Sequence, residues 1–337
     1  MRKLASIQVV WNVAPIEGAD SIELVRVLGW QCAASKGEFH SGDKAVYFEV
    51  DSFLPMEPRY EFLAKTSFRD NADNGQGYRI KTMKFRGQVS QGLALGLPKF
   101  PEVDPSLPAG ADLTELLNVK QWFINEVPTG AGLVLGKRPA GVPMSDETRI
   151  QSEPERLTLL AGKPYYITTK MDGTACYNYF INGKFGVCSR NNEMGLLDGE
   201  SLYWHPEKRY LIKDRLASLG ANLSIQGELC GPGIQKNPLR LNSFDYFVYD
   251  VRVVDQDRYM NFPELKAFCD KLGLKMVPVE ETGDAFSRTI EELLIKAQGK
   301  YPNGGADKEG IVVRSTAVNT PRLSFKVLNN VALAKEK

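Results

Sequence analysis

Residues 164–173 have the sequence PYYITTKMDG, and this segment is the most informative feature of the chain. A strand-like run ends at Lys170 and passes into a tight turn at Asp172 and Gly173. An amine held there, beside a carboxylate, suits a nucleophile better than a solvated surface charge. Attack requires the neutral amine, so its ordinary pKa of about 10.4 must be lowered or its proton removed. By itself, a Lys-x-Asp-Gly sequence is more often an ordinary hairpin turn.

Charged residues also follow or interrupt strand-like runs in four later parts of the chain. They are residues 185–191 (FGVCSRN), 225–229 (IQGEL), 244–251 (FDYFVYDV), and the two runs 308–314 (KEGIVVR) and 323–327 (LSFKV). Taken singly, Glu228 and Glu309 are compatible with solvent-facing strand positions. Arg190 and Lys326 are compatible with edge charges that prevent aggregation. Five separate structural explanations do not account for the order of these segments along the chain.

That order, Lys-x-Asp-Gly, Arg, Glu, aromatic strand, Glu-Gly and Lys, resembles the covalent nucleotidyltransferases, which comprise the polynucleotide ligases and the mRNA capping enzymes. The resemblance extends from about Arg149 to the C-terminus. It implies that the Lys170 amine attacks the α-phosphorus of a nucleoside triphosphate, forming a lysyl-nucleotide phosphoramidate and releasing pyrophosphate. Such a transfer depends on in-line positioning and on neutralising the charge of phosphate oxygens.

The resemblance implies roles for the other charged motif residues. Lys326 would lie against the α-phosphate, and Arg190 would bind phosphate or ribose with its forked donors. Asp172, Glu228 and Glu309 would surround a divalent cation, Mg²⁺ or Mn²⁺, or the ribose hydroxyls, because hard cations prefer oxygen ligands. A cation beside the nucleophilic amine would also lower its pKa.

The purine base has two candidate stacking partners, Phe247 and Tyr249, which the two-residue period of a strand places on one face. Both stay open. The backbone around Thr169 would read the edge of the purine, and Lys308 is a further nucleotide-binding candidate.

Residues 144–151 (MSDETRIQ) lie just before these motifs and contain Arg149, a candidate triphosphate contact. An alternative stays open in which Ser145 caps a helix that starts here. One position departs from the pattern of many ligases. Their last motif reads Lys-x-Lys, whereas Ser324 occupies the first of these positions here, so only Lys326 is given a role.

The composition is that of an ordinary globular protein, with 337 residues, 25% charged and 43% apolar residues, and a net charge of +1. Any contact with a polyanion must therefore come from local clusters of charge. No stretch has the roughly 18 apolar residues of a membrane span, and the N-terminus lacks a secretion signal. Five widely spaced cysteines indicate reduced, buried thiols in an intracellular protein of the cytoplasm or nucleus. With only His40 and His205, a histidine-based hydrolase or zinc enzyme is disfavoured.

The pattern of elements predicts an α+β protein with an N-terminal OB-like β-barrel. By the resemblance, an ATP-grasp-like adenylyltransferase domain of antiparallel sheets with flanking helices follows it. The predicted limits are 1–120 for the OB-like domain, 121–144 for a linker and 145–337 for the nucleotidyltransferase domain. Five strands are predicted in the first domain, followed by one short helix and, later, three helical regions. The strands are 5–10, 22–27, 44–50, 80–85 and 91–97; the helices are 112–119 and, in the second domain, regions near 199–219, 263–272 and 288–299.

The most basic stretch of the first domain is residues 79–88 (RIKTMKFRGQ). Arg79, Lys81, Lys84 and Arg86 are predicted to contact RNA or the leaving pyrophosphate, which would supply affinity without sequence information. The alternative of a solvated strand with edge charges stays open.

Capping enzymes and DNA ligases usually continue past the last lysine motif into a C-terminal OB domain. Here only 11 residues, 327–337, follow Lys326, which argues against a GTP-dependent capping enzyme or a DNA ligase. The chain is most similar to the ATP-dependent RNA ligases typified by that of Naegleria. This similarity implies sealing of RNA 3′-hydroxyl and 5′-phosphate ends, with ATP as the AMP donor and with no obligate protein partner. A non-catalytic RNA-binding OB protein is a distant alternative, because the nucleophile and the acidic residues are all present.

Overall fold

The computed structural model describes residues 2–122, 130–302, 304–316 and 323–335. The chain divides into two compact units. The first comprises Met1–Glu126, Gln151–Pro154 and Leu333–Lys337, and the second comprises Val127–Ile150 and Glu155–Ala332. The sequence-based limits of 1–120, 121–144 and 145–337 stay a prediction.

The first unit is built almost entirely from short strands. They are β1 (Ala5–Pro15), β2 (Ile22–Val27), β3 (Trp30–Ser35), β4 (Lys44–Phe48), β5 (Ser52–Leu54), β6 (Phe68–Asn71), β7 (Gly75–Arg79), β8 (Met83–Phe85), β9 (Gln88–Ser90), β10 (Leu93–Gly96) and β11 (Lys120–Gln121). One short helix, α1 (Ala64–Ser67), follows a 3₁₀ turn at Pro58–Leu63. A second 3₁₀ turn lies at Leu97–Lys99.

The strands form a five-stranded antiparallel sheet in the order β10-β4-β1-β2-β3 and a four-stranded sheet in the order β11-β5-β7-β6. The long strand β1 belongs to both halves of the first sheet. Its first part pairs with β4, and a bulge between Val10 and Asn12 turns its second part onto β2. Between β3 and the chain before β10, the Gln91 amide donates to the carbonyl of Gln31. These contacts curl the sheet into the OB-like form.

The second unit contains the remaining strands and most of the helices. The strands are β12 (Leu133–Lys137), β13 (Tyr165–Lys170), β14 (Thr174–Ile181), β15 (Lys184–Cys188), β16 (Asn192–Gly195), β17 (Leu223–Cys230), β18 (Asp245–Val253), β19 (Arg258–Tyr259), β20 (Lys275–Met276), β21 (Val279–Gly283), β22 (Gly310–Ser315) and β23 (Ser324–Leu328). The helices are α2 (Glu155–Leu160), α3 (His205–Tyr210), α4 (Ile212–Leu219), α5 (Phe262–Lys271), α6 (Ile290–Lys296) and α7 (Asn330–Leu333).

Two mostly antiparallel sheets organise this unit. The larger has the order β12-β16-β15-β14-β17-β18-β19, with β20 added parallel to β18. The smaller has the order β21-β13-β22-β23. Helices α3, α4 and α5 contribute to the core on the larger sheet, and α2 and α6 contribute to the core on the smaller one. The strands that carry the predicted site residues thus come from both sheets.

Local sequence explains several of these elements. Asn182 and Gly183 both have positive φ angles, 49° and 76°, and form the two-residue hairpin loop between β14 and β15. Helices α5 and α6 begin with capping boxes, Asn261 with Glu264 and Thr289 with Glu292. Among the described residues, no helix is long and apolar enough to cross a membrane.

Three local predictions are wrong. The predicted helix at 112–119 is a series of turns, because Thr114 Oγ1 accepts the amides of Leu4 and Ala5 and ties the segment to β1. The predicted strand 80–85 is broken, and only Met83–Phe85 remains as β8. The helix considered for 144–151 does not form, since this segment runs alongside β23.

The segment 121–144, predicted as a linker, contains β12, which pairs with β16 at the edge of the larger sheet. Residues 123–129 of that segment lie outside the described residues.

Candidate active site

Lys170 is the last residue of β13, and its ammonium group faces the carboxylate of Glu309. Nζ of Lys170 lies 2.6 Å from Oε2 of Glu309, and the two side chains remain 26% and 30% exposed. The pairing follows from the sheet, because Lys170 lies opposite Gly310, the first residue of β22. The end of one strand and the start of its neighbour therefore bring the amine and the carboxylate together.

The buried hydroxyl of Tyr301 connects the backbones that carry these two side chains. It donates to the Lys170 carbonyl at 2.6 Å and accepts the Glu309 amide at 3.1 Å. Tyr301 is 3% exposed, so both bonds are shielded from water. This hydroxyl fixes the spacing between the amine and the carboxylate.

The turn that follows Lys170 rests on β17. The Gly173 amide donates to Oε1 of Glu228 at 3.2 Å. A Cβ atom at Gly173 would lie 2.4 Å from the Leu229 carbonyl oxygen and 2.7 Å from Cys230 Sγ, so no larger residue fits without displacing the turn. The glycine of this turn is therefore required by its close approach to β17.

Gly310, directly after Glu309, is a second position in the site where only glycine fits. Its φ angle is 154°, and a Cβ atom there would lie 2.1 Å from the Val327 carbonyl oxygen. The Glu-Gly pair thus places a carboxylate next to a position where β22 and β23 leave no room for a side chain.

The carboxylates control the charge state of the amine. Burial lowers the pKa of Lys170, but the negative charges of Glu309, Glu228 and Asp172 outweigh burial, and the pKa lies above its ordinary value. These carboxylates alone therefore favour the ammonium form of Lys170, and attack still requires that its pKa be lowered or its proton be removed. Burial, helped by Glu309 and Asp172 and opposed by Lys170, raises the pKa of Glu228 to about 8.

Lys326 and Arg190 meet at one carboxylate, that of Asp146. Nζ of Lys326 lies 2.9 Å from Oδ1 of Asp146, and a guanidinium nitrogen of Arg190 lies 3.2 Å from Oδ2. Burial lowers the pKa of Lys326, and the nearby charges of Lys170 and Arg149 act in the same direction against Asp146. Lys326 is thus an electrostatic neighbour of Lys170, and Arg190 and Arg149 lie near Lys326.

The segment before α2 holds these groups by pairing with β23. The Lys326 amide donates to the carbonyl of Thr148, and the Ile150 amide donates to the carbonyl of Lys326. Arg149 therefore forms a parallel bridge with Lys326. Extended pairing, and not a helix, brings Arg149 to the site.

The two candidate stacking rings differ in their surroundings. Both pack against the apolar cluster that contains Met171. A bulge in β18 leaves Phe247 opposite Glu228, whereas the hydroxyl of Tyr249 lies 2.6 Å from Ser145 Oγ. Tyr249 is therefore held by a hydrogen bond at its hydroxyl, whereas Phe247 is held by apolar packing alone.

Thr169 and Lys308 share a carboxylate that the sequence analysis did not identify. Oε1 of Glu280, on β21, accepts from Thr169 Oγ1 at 2.8 Å and from Lys308 Nζ at 2.7 Å. The Thr169 amide donates to the carbonyl of Pro278. This amide is therefore committed to the sheet, and Lys308 is 8% exposed.

Ser324 stands where many ligases have a lysine, and it has a different partner. Its hydroxyl donates to Oε2 of Glu147 at 2.5 Å, and Arg314 lies 3.3 Å from the other oxygen of the same carboxylate. The position supplies a hydrogen bond within the sheet and no charge.

The predicted metal ligands are close enough to act on one another electrostatically. In the described part of the chain, however, no group of three or more His, Cys, Asp or Glu side chains is arranged to hold a metal ion. Mg²⁺ is commonly held by one or two carboxylates with water and substrate phosphate completing its shell. Asp172, Glu228 and Glu309 each offer carboxylate oxygens of the kind that such a site uses, and one or two of them would be enough.

The basic stretch of the first unit lies on three different pieces of backbone. Arg79 ends β7 and pairs with Asp51 at 3.0 Å, and Lys81 follows in the connection to β8. Lys84 and Arg86 are exposed on the hairpin of β8 and β9.

The structure thus brings Lys170, Asp172, Glu228, Glu309 and Lys326 into one site in the second unit. Sequence reasoning missed three residues, namely Tyr301, Asp146 and Glu280. Asp146 lies in the segment 144–151 that was considered for Arg149 alone. Tyr301 and Glu280 lie in no recognisable motif.

An OB-like unit and a two-sheet unit with a strand-end lysine among carboxylates are features of the polynucleotide-ligase class. Residues 4–97 match an OB-fold domain family, and residues 163–328 match the RNA ligase family. Together with the structural relatives described next, these matches show that the chain belongs to the RNA ligase family. The predicted family and the α+β fold with an OB-like first domain are confirmed.

Three solved structures of the RNA ligase of Naegleria gruberi are similar over the whole chain. A variant with AMP and Mn is 33% identical with a TM-score of 0.92, covering 99% of each chain. A variant with ATP and Mn is 32% identical with a TM-score of 0.92, also covering 99% of each chain. The enzyme with PPi is 32% identical with a TM-score of 0.91, covering 100% of this chain and 99% of that one. No curated protein matches the sequence.

Proposed function

We propose that this protein is an ATP-dependent RNA ligase that joins a 3′-hydroxyl to a 5′-phosphate through a lysyl-AMP and an RNA-adenylate. The observation that carries the proposal is the position of the Lys170 amine, 2.6 Å from Glu309 and within the field of Glu228 and Asp172. The similarity to ligase structures with ATP, AMP and PPi supports ATP as the AMP donor.

In the first step, Nζ of Lys170 attacks the α-phosphorus of ATP. A P–N bond forms, the bond from this phosphorus to the bridging oxygen breaks, and pyrophosphate leaves with the electron pair. In the second step, an oxygen of the RNA 5′-phosphate attacks the same phosphorus and frees the amine. In the third, the 3′-hydroxyl attacks the 5′-phosphorus, loses its proton, and AMP departs.

The chain's own residues have distinct tasks in the first step. Lys170 must lose one ammonium proton before it attacks, and Glu309 lies within hydrogen-bond reach of that proton. Lys326, Arg190 and Arg149 would neutralise the charge of the triphosphate, which would replace the contacts of Lys326 and Arg190 with Asp146.

A divalent cation, Mg²⁺ or Mn²⁺, would be held by Asp172, Glu228 and Glu309. When bound, it would neutralise phosphate charge and favour the neutral amine by like-charge repulsion.

The adenine would stack on Phe247 or on Tyr249, whose hydroxyl is bound to Ser145 and leaves the ring face available. The backbone around Thr169 would read the edge of the adenine. Lys308, which shares the carboxylate of Glu280 with the Thr169 hydroxyl, would also contact the nucleotide. In the first unit, Arg79, Lys81, Lys84 and Arg86 would contact RNA or pyrophosphate.

The test is covalent labelling with α-labelled ATP and, in parallel, α-labelled GTP, followed by denaturing electrophoresis. We expect label from ATP with a divalent cation, and none in Lys170→Ala. The matched control is Lys184→Ala, because Lys184 also pairs with a glutamate, Glu193, at 2.8 Å. Label from GTP alone would indicate a capping enzyme, and label retained in Lys170→Ala would refute the assignment.

Sealing is tested separately with RNA that carries a 3′-hydroxyl and a labelled 5′-phosphate. Joining of RNA supports the proposal over a DNA ligase. Absence of both labelling and joining would favour the distant alternative of a non-catalytic RNA-binding protein.

A further inference from the structure

The first unit contains an apolar groove of about 430 Å³, within the size range of about 300–1,000 Å³ that holds small ligands. Strands β3 and β10 line one side, and the segment around α1 lines the other. Phe62 stands at the groove with 59% of its surface exposed, which is unusual for so large an apolar ring. The groove lies entirely within the first unit.

The β8–β9 hairpin forms another wall of this groove. Met83 and Phe85 line the groove, whereas Lys84 and Arg86 are exposed and do not line it. The alternation follows from the two-residue period of a strand. One short hairpin therefore offers apolar side chains to the groove and positive charges to the solvent beside it.

The loop of this hairpin contains a residue that backbone geometry does not favour. Arg86 and Gly87 have φ angles of 48° and 84°, the pattern of a two-residue hairpin loop in which Asn, Asp or Gly is preferred at the first position. An arginine in the left-handed region costs free energy. Since Arg86 forms no ion pair with any described residue, its charge serves no internal contact that would offset that cost.

Further positive charges surround the groove. Lys81 lines it, and Arg69 is close enough to Lys81 to act on its charge, as is Arg79, which is itself paired with Asp51 at 3.0 Å. One carboxylate, Glu38, also lines the groove, but it is neutralised by Lys99 at 2.7 Å. The rim is therefore complementary to a chain of phosphates.

From this geometry we propose that the groove binds one unstacked base of an RNA strand, with Phe62 and Phe85 contacting the base and the hairpin cations contacting the flanking phosphates. Single-stranded nucleic acids are commonly bound in this way, by aromatic stacking inside a positively charged groove. The inference rests on the proposed function, since it assumes that RNA is the substrate.

The test measures the affinity of the full-length protein for a fluorescent single-stranded RNA by anisotropy, without ATP. Stacking of one base on an aromatic ring contributes about 1–3 kcal/mol, so Phe62→Ala should weaken binding roughly tenfold. Phe62→Leu, which keeps the apolar surface, should also weaken it. Leu116→Ala is the control, because Leu116 is similarly exposed, at 52%, in the same unit and away from the groove.

A second probe is the same RNA with abasic sites. If a base fills the groove, wild-type protein should bind abasic RNA more weakly, and Phe62→Ala should make no further difference. An equal loss with both RNAs, or no loss relative to Leu116→Ala, would overturn the inference. Self-association that disappears in Phe62→Ala would show instead that a second copy of the chain fills the groove.

The variant Arg86→Asn distinguishes a role of the Arg86 charge in RNA binding from a role of this residue in the stability of the hairpin loop. Asparagine is favoured in this loop position, so we expect unchanged or increased thermal stability together with weaker RNA binding and a smaller salt dependence. Loss of stability without loss of binding would mean that Arg86 is structural, and would count against the phosphate contact.

Failure of this inference can be told from failure of the proposed function by labelling of Lys170 with ATP, which needs no RNA. Phe62→Ala should label as wild type does. If wild type is labelled but the groove variants bind RNA as tightly as wild type, the groove does not bind a base and the proposed function is unaffected. If the groove variants weaken RNA binding but Lys170 is not labelled, the proposed function fails, whereas RNA binding by the groove remains supported.

Discussion

Oε2 of Glu309 lies 2.6 Å from Nζ of Lys170, so this carboxylate favours the ammonium form of the amine that is proposed to attack ATP. The contact orders the side chain, but it also stabilises the form that cannot attack. Since Glu228 and Asp172 act in the same direction, three negative charges favour the proton. Activation of Lys170 therefore requires that this negative charge be compensated when substrate is bound.

Replacing Glu309 with glutamine should lower the pKa of Lys170. The glutamine side chain would keep the shape of the glutamate but remove the nearest negative charge, which favours the ammonium form of Lys170. The measurement is an NMR titration of lysine-labelled protein without nucleotide or metal, with the Lys170 signal assigned by its loss in Lys170→Arg. Glu193→Gln, which removes the partner of Lys184, should leave the Lys170 titration unchanged. A midpoint that does not move in Glu309→Gln would contradict this account.

Replacing Tyr301 with phenylalanine should slow adenylylation with little effect on the KM for ATP. The variant leaves the Lys170 carbonyl and the Glu309 amide without their buried partner, which should reduce the free energy of unfolding by roughly 1–3 kcal/mol. It should also loosen the pair, so the pH dependence of adenylylation should shift toward lower pH. Single-turnover labelling across pH measures this.

The matched control for that variant is Tyr165→Phe. Tyr165 lies at the other end of β13, and its hydroxyl donates to Glu281 at 2.6 Å. A similar loss of stability without a shift in the pH profile is expected there. If both variants give the same profile, Tyr301 has only a structural role.

Much of this fold could be predicted from sequence, because its signals are local. The strands β1, β2 and β4 follow from runs of apolar and β-branched residues between turns. The segment 112–119 could not be predicted, because its composition favours a helix while Thr114 binds the backbone of β1, more than 100 residues away. Tertiary contacts outweigh weak helix propensity in such a segment.

In the site, too, residues in local motifs could be predicted, whereas residues that act through distant contacts could not. Lys170 and Glu309 were recognisable because each lies close to a glycine at one end of an apolar strand. Tyr301 and Asp146 act on residues 131 and 180 positions away, and no periodicity or spacing reports such pairs. The charge state of Lys170 was also not predictable, since it depends on how many carboxylates converge.

Replacing Glu228 with glutamine should stabilise the protein at alkaline pH. The pKa of Glu228 is raised to about 8, above that of an unfolded glutamate near 4.3, so its contribution to stability is present below about pH 4 and is lost as pH rises to about 8. Urea unfolding should show the variant and wild type alike near pH 4, with the variant more stable by roughly 1–3 kcal/mol near pH 9. Glutamine keeps an acceptor for the Gly173 amide. A difference that is independent of pH would contradict the raised pKa.

Replacing Asp146 with asparagine should strengthen the binding of pyrophosphate. The carboxylate of Asp146 contacts Lys326 and Arg190, which are the cations proposed to bind the triphosphate, so an incoming anion must compete with it. Removing one competing charge at a half-exposed position should lower the Kd for pyrophosphate roughly threefold to tenfold, measured by calorimetry without ATP. Asp270→Asn is the control, because Asp270 pairs with exposed Lys266 at 3.9 Å. Weaker binding in Asp146→Asn would instead mean that Asp146 holds the two cations in their productive positions, and the competition account would be wrong.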